Sequence, residues 1–471
     1  MSESTNRHRM QVPWSLALAA SRASRSAIRA SGRSGGTTLP GRVLTRLRPD
    51  AIERLASSLT GGSIIVSSTN GKTTTASMIG SILEADSREI LHNRAGSNMH
   101  WGIATTLLDS PGQSPGTIGL FEIDEAWVSR LAPVLNPKVV VLGNLFRDQL
   151  DRYGELERLA EDWADMVSRL PSDCTLVLCA DDPAIASLAD SLDPDGEVVF
   201  FGMEDESNAL AQEAHAFDTS NCRKCGTRYD YARTFLGHLG HYRCPGCGSS
   251  RPAEVQIRAT RVQLHGFEGS VMDVETPQGE VRVEIGLPGL YNAYNALAAV
   301  AVGCSAGIGL SEIRTGIESS PAVFGRSERI RLDDGELSML LIKNPTGANE
   351  VLRTLADEAS RSGPLDLWLG LNDRIADGRD VSWIWDADFE VLAQSVGKVT
   401  CSGTRAPEMA LRLKYAQWPK ESIIVDDDLE RSLRTAVGES AGRLFAMPTY
   451  TAMLEVRGAI AGKGQADDFW V

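Results

Sequence analysis

Long apolar runs are missing from this 471-residue chain. None reaches the ~20 residues that cross a bilayer as a helix, so no transmembrane segment is expected. An excess of basic residues is missing as well. The net charge is −15, which speaks against general nucleic-acid binding. Cysteine is scarce, with eight residues. Four of them, Cys174, Cys179, Cys304 and Cys401, are scattered through apolar segments. They read as small buried hydrophobes in a reducing compartment. None of these four sits in a Gly-x-Cys-x-Gly setting, so no cysteine nucleophile elbow is visible. No internal repeat is seen.

What is present is ordinary for a globular protein: 42% hydrophobic and 23% charged residues. The length allows two or three domains with substantial cores. The first 50 residues differ from the rest, with nine arginines against Glu3 and Asp50. Residues 13–31 have the pattern of a basic amphipathic helix. A signal peptide competes for this segment, but Arg22 and Arg25 interrupt its apolar stretch. The favoured reading of residues 1–38 is a partly ordered cytoplasmic arm. A solvated tail ranks ahead of one that touches anionic lipid at the inner membrane surface.

Short apolar runs alternate with helical patterns from about residue 50 to 205. Strands are expected at 63–67, 117–123, 138–142, 174–179 and 197–201, with helices near 73–86, 125–133 and 155–170. This rhythm is that of a doubly wound parallel sheet with ligands at the strand C-terminal ends. Residues 206–252 break it, 254–286 alternate as strands do, and 291–306 are helical and Ala-rich. A second, smaller α/β series follows. Its strands are expected near 338–343, 365–371, 397–401, 421–425 and 443–447. Its helices are expected near 347–361, 405–415, 428–437 and 450–462. The polar stretch Ser327–Leu337 reads as the linker between the two.

The most informative segment is Thr69-Asn70-Gly71-Lys72-Thr73-Thr74, between the apolar run Ser63–Val66 and a helical pattern. Strand, tight turn and helix N-terminus in that order cradle phosphate through backbone N–H groups and the helix dipole. Lys72 would reach the β/γ-phosphates of ATP, and the Thr73 hydroxyl would sit on Mg²⁺. The longer phosphate-loop pattern wants Gly where Val66 stands.

Glu122, Asp124 and Glu125 lie at the end of the next expected strand, 117–123, where a carboxylate suits a metal. Glu122 is the first choice for Mg²⁺, and at least one of the other two is expected only to cap the following helix. Asn144 and Asp148 follow the next strand and could complete a nucleotide or metal site. Asn292 and Asn295, spaced i, i+3, share a helix face and suit an adenine edge. Arg326 is counted with the nucleotide-binding residues. The stretch Asp377–Asp386 gathers Asp377, Asp380, Asp386 and two tryptophans, with function and solvated loop weighing equally.

The strongest metal signal is Cys222-x₂-Cys225 and Cys244-x₂-Cys247, with eighteen residues between the pairs. Gly226 and Gly248 follow the pairs and permit tight knuckle turns. Four thiolates leave no open position, so a Zn²⁺ here would be structural.

Together these motifs resemble the MurT-type subunits of bacterial lipid II isoglutaminyl synthase, from about Leu39 onward. The match also includes Lys343-Asn344-Pro345-Thr346-Gly347 and Asp377-Gly378-Arg379-Asp380. The shorter Thr-Asn-Gly-Lys-Thr-Thr loop is shared with Mur ligases and folylpolyglutamate synthases, whereas the ribbon separates this family from them. The resemblance implies a Mur-ligase-like central ATP-binding domain at 39–330, with a zinc ribbon inserted at about 218–252. A C-terminal α/β domain would occupy 331–471. It also implies ATP-dependent amidation of the D-glutamate α-carboxyl of lipid II, giving D-isoglutamine. The ammonia would come from a GatD-type glutaminase in a heterodimer. An Asp of the C-terminal domain would complete the partner's Cys–His pair; Asp380 is favoured over Asp377 and Asp386. Two departures stand out: Ser68 replaces a Gly, and Gln149 stands where Mur ligases often place a His. The alternatives are an amino-acid ligase of Mur or folylpolyglutamate type, and an ATP-binding scaffold without catalysis.

Overall fold

The computed structural model describes residues 12–30, 38–93, 97–108, 114–147, 156–211, 217–321, 326–332, 335–440 and 442–461. The chain opens with α1 (Trp14–Ala30), α2 (Leu39–Leu47) and α3 (Ala51–Ala56). Ala17, Leu44, Ala51 and Leu108 form a small core between them and α5 (His100–Leu108). The Trp14 ring lies against the guanidinium groups of Arg48 and Arg54, at 5.4 and 4.5 Å. Among the described residues no helix is long and apolar enough to cross a membrane.

The first large sheet has nine strands in the order β11-β10-β9-β6-β5-β4-β1-β3-β2. They are β1 (Ser63–Ser67), β2 (Ile90–His92), β3 (Ile118–Glu122), β4 (Pro137–Leu142), β5 (Thr175–Cys179), β6 (Val198–Met203), β9 (Ile257–Leu264), β10 (Ser270–Thr276) and β11 (Gly279–Ile285). Pairing is parallel from β2 across to β9, and antiparallel through β9, β10 and β11. The parallel strands are covered on both faces, which is why β1, β3 and β5 are buried along their whole length. The alternating burial of β11 marks a one-sided antiparallel extension. The strand order reverses around β1, so the C-terminal ends of β1, β3 and β4 open onto one crevice. Covering helices include α4 (Lys72–Ala85), α6 (Glu125–Leu131), α7 (Leu156–Val167), the short α8 (Pro183–Ala186), α9 (Leu290–Ser305) and α10 (Leu310–Glu318).

A separate hairpin, β7 (Asp230–Leu236) and β8 (Leu239–Arg243), rises from the insertion and carries the cysteines near its base. The second large sheet has the order β12-β13-β17-β14-β15-β16. It comprises β12 (Arg326–Leu332), β13 (Gly335–Leu340), β14 (Leu365–Gly370), β15 (Val396–Ser402), β16 (Ile423–Val425) and β17 (Arg443–Pro448). Separate apolar cores lie around it. Its helices are α11 (Pro345–Ser362), α12 (Ala406–Tyr415), α13 (Leu429–Glu439) and α14 (Tyr450–Ala461).

The segment expected to be a polar linker, Ser327–Leu337, instead falls in β12 and the start of β13, which pair antiparallel at the sheet edge. An edge strand has one free side, so it tolerates the charged composition that suggests a linker. The three-residue β2, α5 and α10 are elements that the periodicity did not announce.

One carboxylate ties the crevice rim together. Asp182, fully buried just past β5, accepts hydrogen bonds from the N–H groups of Leu145 (2.9 Å), Ala184 (2.9 Å) and Ile185 (3.3 Å). Asp182→Ala strands these donors away from water, at a cost of about 2–4 kcal/mol. A thermal or urea melt should show that loss; a melt superimposable on wild type would contradict it.

Candidate nucleotide site and cysteine cluster

The turn between β1 and α4 is held by side chains from several elements. Asn144 uses both ends of its amide on the Asn70 backbone: Oδ1 accepts from N–H (2.9 Å) and Nδ2 donates to C=O (3.0 Å). The Thr69 hydroxyl accepts from the Phe146 N–H at 3.0 Å. The Ser68 hydroxyl donates to the Asn70 carbonyl at 2.7 Å. A Cβ on Gly143 would come 3.2 Å from that of Ser68, so the bare Gly143 leaves space for the serine that departs from the family pattern.

Gly71 has φ +88°, and a Cβ there would meet Asn295 Oδ1 at 1.9 Å. Only glycine fits a left-handed turn at that distance. Asn295 Oδ1 also accepts from Thr75 Oγ1 (3.3 Å), and its amide nitrogen donates to Asn292 Oδ1 (3.0 Å). Asn292 Nδ2 donates to the Pro288 carbonyl at 2.8 Å. The two asparagines share a face, as their spacing predicts, but these amide atoms are engaged within the chain and brace the turn from below.

Lys72 is buried, and its ammonium donates to the Ser68 carbonyl (2.5 Å), to Glu125 (2.7 Å) and to the Thr69 carbonyl (3.3 Å). Burial alone would lower its pKa. The carboxylates of Glu125, Glu122 and Asp124 outweigh that penalty, so the pKa is raised and Lys72 stays charged. Thr73 Oγ1 donates to Glu122 Oε1 at 3.0 Å, which brings the two expected Mg²⁺ ligands together. Asp124 caps α6 by accepting from the Ala126 N–H at 3.1 Å. The three neighbouring acids thus have three different tasks. Thr74 is buried in the first turn of α4. Asp148 and Gln149 lie outside the described residues, as does the Arg326 side chain.

The C-terminal lobe reaches into the same crevice. Asn344 exchanges amide hydrogen bonds with Asn70 (3.0 and 3.4 Å), and Lys343 Nζ donates to the Thr69 carbonyl (3.2 Å). Neither Lys343 nor Asn344 was singled out as a site residue from the sequence. The available signal was polar residues past a strand end, directly before a proline that opens a helix. Also missed was Asp181, fully buried, which accepts from Arg251 Nε (2.6 Å), the Tyr294 hydroxyl (2.7 Å) and the Met203 N–H (2.8 Å).

In the acidic loop after β14, Asp377 is turned inward: it accepts from the Thr451 N–H (2.8 Å) and the Thr451 hydroxyl. Burial pushes its carboxyl upward despite these bonds. Asp380 is exposed and accepts from the Ser382 N–H at 2.8 Å, and the Ser382 contacts hold its pKa below the usual value. Asp386 pairs with Arg147 across the lobes at 3.4 Å, and Arg147 also pairs with Asp218 of the insertion.

The four cysteines gather at the base of the hairpin. Their sulfurs all lie within 4.8 Å of one another, with Cys222–Cys247 at 3.6 Å and Cys225–Cys244 at 3.4 Å. A disulfide needs about 2.05 Å. Tetrahedral Zn–S bonds of about 2.3 Å would put sulfurs roughly 3.8 Å apart, so the donor set fits a closed metal centre. The Gly226 and Gly248 N–H groups donate to the Cys222 and Cys244 carbonyls (2.7 and 3.0 Å), closing two equivalent knuckles. At the other end of the hairpin, the buried His238 ring lies tilted against Phe146, centroids 4.7 Å apart, and its Nε2 lies 3.3 Å from Asp182.

Comparison with known proteins agrees with this geometry. Residues 66–242 match the Mur ligase middle domain, and residues 341–453 match the MurT ligase C-terminal domain. The lipid II isoglutaminyl synthase (glutamine-hydrolyzing) subunit MurT of Streptococcus pneumoniae is 35% identical over 96% of this chain and 98% of its own length. A pseudomurein peptide ligase type C from Methanothermus fervidus superposes with a TM-score of 0.68, at 21% identity over 90% of this chain and 83% of that one. MurF ligase from Thermotoga maritima, solved in complex with ADP, gives 0.61 at 14% identity over 90% and 85%. These two share the fold. The resemblance read from the motifs is borne out: the chain belongs to the MurT subunits of lipid II isoglutaminyl synthase, within the Mur ligase superfamily.

Proposed function

We propose that this chain is the synthetase subunit that amidates the D-glutamate α-carboxyl of the lipid II stem peptide, giving D-isoglutamine. A carboxylate is a poor electrophile and has to be activated. An α-carboxylate oxygen attacks the γ-phosphorus of ATP, the bond to the bridging oxygen breaks, and ADP leaves. The lone pair of ammonia then attacks the acyl phosphate carbon. Phosphate departs with the C–O electrons, and nitrogen releases its extra proton to base.

The turn at residues 69–74 binds the nucleotide phosphates, with Lys72 offsetting charge on the transferring group. Thr73 and Glu122 hold Mg²⁺, which neutralises phosphate charge when bound. Glu125 and Asn144 orient Lys72 and the turn. Asn292 and Asn295 shape the turn from beneath, and Asp148 and Arg326 complete the nucleotide set. The observation that carries this reading is the Lys72–Glu125 and Thr73–Glu122 pairing at one crevice, in a chain of this family.

A GatD-type glutaminase supplies ammonia as a heterodimer partner. Asp380 is the residue offered to the partner's Cys–His pair, where a carboxylate would orient the imidazole. Its exposure and lowered pKa suit that role, whereas Asp377 is spent on Thr451. Cys222, Cys225, Cys244 and Cys247 hold a structural Zn²⁺, making the insertion a zinc ribbon. The substrate lies at the cytoplasmic face of the membrane, and the basic N-terminal helices are the part of the chain suited to face anionic lipid there.

The direct test is mass spectrometry of D-Glu-containing lipid II incubated with ATP. Ammonium should support amidation by this chain alone, and glutamine only with the glutaminase present. Lys72→Met should cut the rate by about 10²–10³-fold. No mass change from either nitrogen source, with ATP still bound, would sink the reading. Asp380→Asn should abolish the glutamine-driven reaction of the complex while the ammonium-driven one persists. If the loss instead follows Asp386→Asn, the assignment moves there. Elemental analysis should find about one zinc per chain, falling with Cys225→Ser together with the melting temperature; a metal-free wild type that melts identically would refute the zinc centre.

A further inference from the structure

The C-terminal lobe contributes more to the crevice than a wall. Past the end of β13, Lys343 and Asn344 lead into α11, which opens at Pro345. Asn344 is 1% exposed, and its Oδ1 caps α11 through the Gly347 N–H (2.8 Å) while also facing the Asn70 amide. The side chain that starts the helix therefore also fixes it to the phosphate turn. With that register set, the Lys343 ammonium comes 3.2 Å from the Thr69 carbonyl, the same oxygen that Lys72 approaches at 3.3 Å. Two ammonium groups from different lobes share one acceptor. Lys343 also lines a mainly apolar cavity together with Asn70, Gly71, Thr346, Gly347 and the carboxylate-bearing Glu350. Two helix N-termini, those of α4 and α11, border that cavity, and both carry partial positive charge.

We propose that Lys343 is a second phosphate-contacting cation, delivered in cis by the C-terminal lobe to the terminal phosphate of the bound nucleotide. This rests on the nucleotide-site reading above and deepens it. A positive group beside Lys72, on an element that belongs to the other lobe, lets nucleotide binding sense how the lobes are docked. Contact with the terminal phosphate distinguishes a triphosphate from a diphosphate, because the diphosphate lacks the group that Lys343 would meet. A bound triphosphate is thereby favoured with the lobes together, and conversion to ADP removes one of their links. The carbonyl that Lys343 now faces is a weak acceptor for an ammonium compared with a phosphate oxygen.

The test is calorimetric titration of the full chain with the Mg²⁺ complexes of AMPPNP and ADP. Lys343→Met should weaken AMPPNP binding by about 10–100-fold, the range for one charge-assisted hydrogen bond, and ADP binding by less than about 3-fold. Lys343→Arg should restore most of the AMPPNP affinity. The melting temperature of nucleotide-free Lys343→Met should stay near that of wild type. Equal loss for both nucleotides together with a lowered melting temperature would assign Lys343 to packing and overturn the proposal. Unchanged affinity for both nucleotides, with a raised KM for the carboxylate substrate, would also overturn it and assign the lysine to the substrate. A wild type that binds neither nucleotide would overturn the nucleotide-site reading itself, whereas a wild type that binds both and a variant that binds identically refutes only the role of Lys343.

Discussion

A phosphate-binding turn has to present N–H groups outward, so its carbonyls point back into the protein and need donors there. Every other feature of this crevice depends on meeting that need. Lys72 supplies the Ser68 and Thr69 carbonyls, Asn144 supplies that of Asn70, and Ser68 adds its own hydroxyl to the last. The lysine expected to meet phosphate is thus also part of the frame of its own turn. Glu125 keeps it charged in a buried setting where burial alone would favour neutrality. A neutral amine would hold the carbonyls less firmly and offset no phosphate charge.

From that turn the links run outward in three directions. Asn144 and Thr69 couple it to the loop after β4, and Asp182 couples that loop to the end of β5. Asn70 and Asn344 couple it to the second lobe. The insertion joins from the side: Arg147 pairs with Asp218, Arg353 donates to the Phe235 carbonyl at 3.1 Å, and His238 packs on Phe146. The cysteine cluster stands at one end of a hairpin whose other end touches the crevice rim. A metal held by the four cysteines, as proposed above, would stiffen the knuckles and so act on the same framework as the nucleotide turn.

Much of this was legible in the residues because local chemistry dictated it. The run Ser63–Ser67 read as a strand, residues 69–74 as a tight turn opening a helix, and the Cys-x₂-Cys pairs with trailing glycines as knuckle turns, and the structure has all three. That one of the acids at this strand end would cap the next helix was also legible, and Asp124 is the one that does so. What was not legible depended on contacts distant in sequence. Asn292 and Asn295 are spaced for a ligand, yet their neighbours Pro288 and Thr75 take up amide atoms that the spacing left free. Charged β12 reads as a linker until its pairing with β13 is seen. Asp181 carries no motif that announces it, and the motif containing Lys343 assigns that lysine no role, because Arg251, Tyr294 and Thr69 become their partners only when the chain is folded.

The central claim is that one turn joins the central lobe, the loop after β4 and the C-terminal lobe into a single nucleotide-responsive unit. Hydrogen–deuterium exchange of the full chain, with and without Mg²⁺ and AMPPNP, tests it most directly. The account predicts that residues 68–75, 144–147 and 343–347 gain protection together on adding nucleotide. Protection confined to residues 68–75, with the other two segments unchanged, would contradict it.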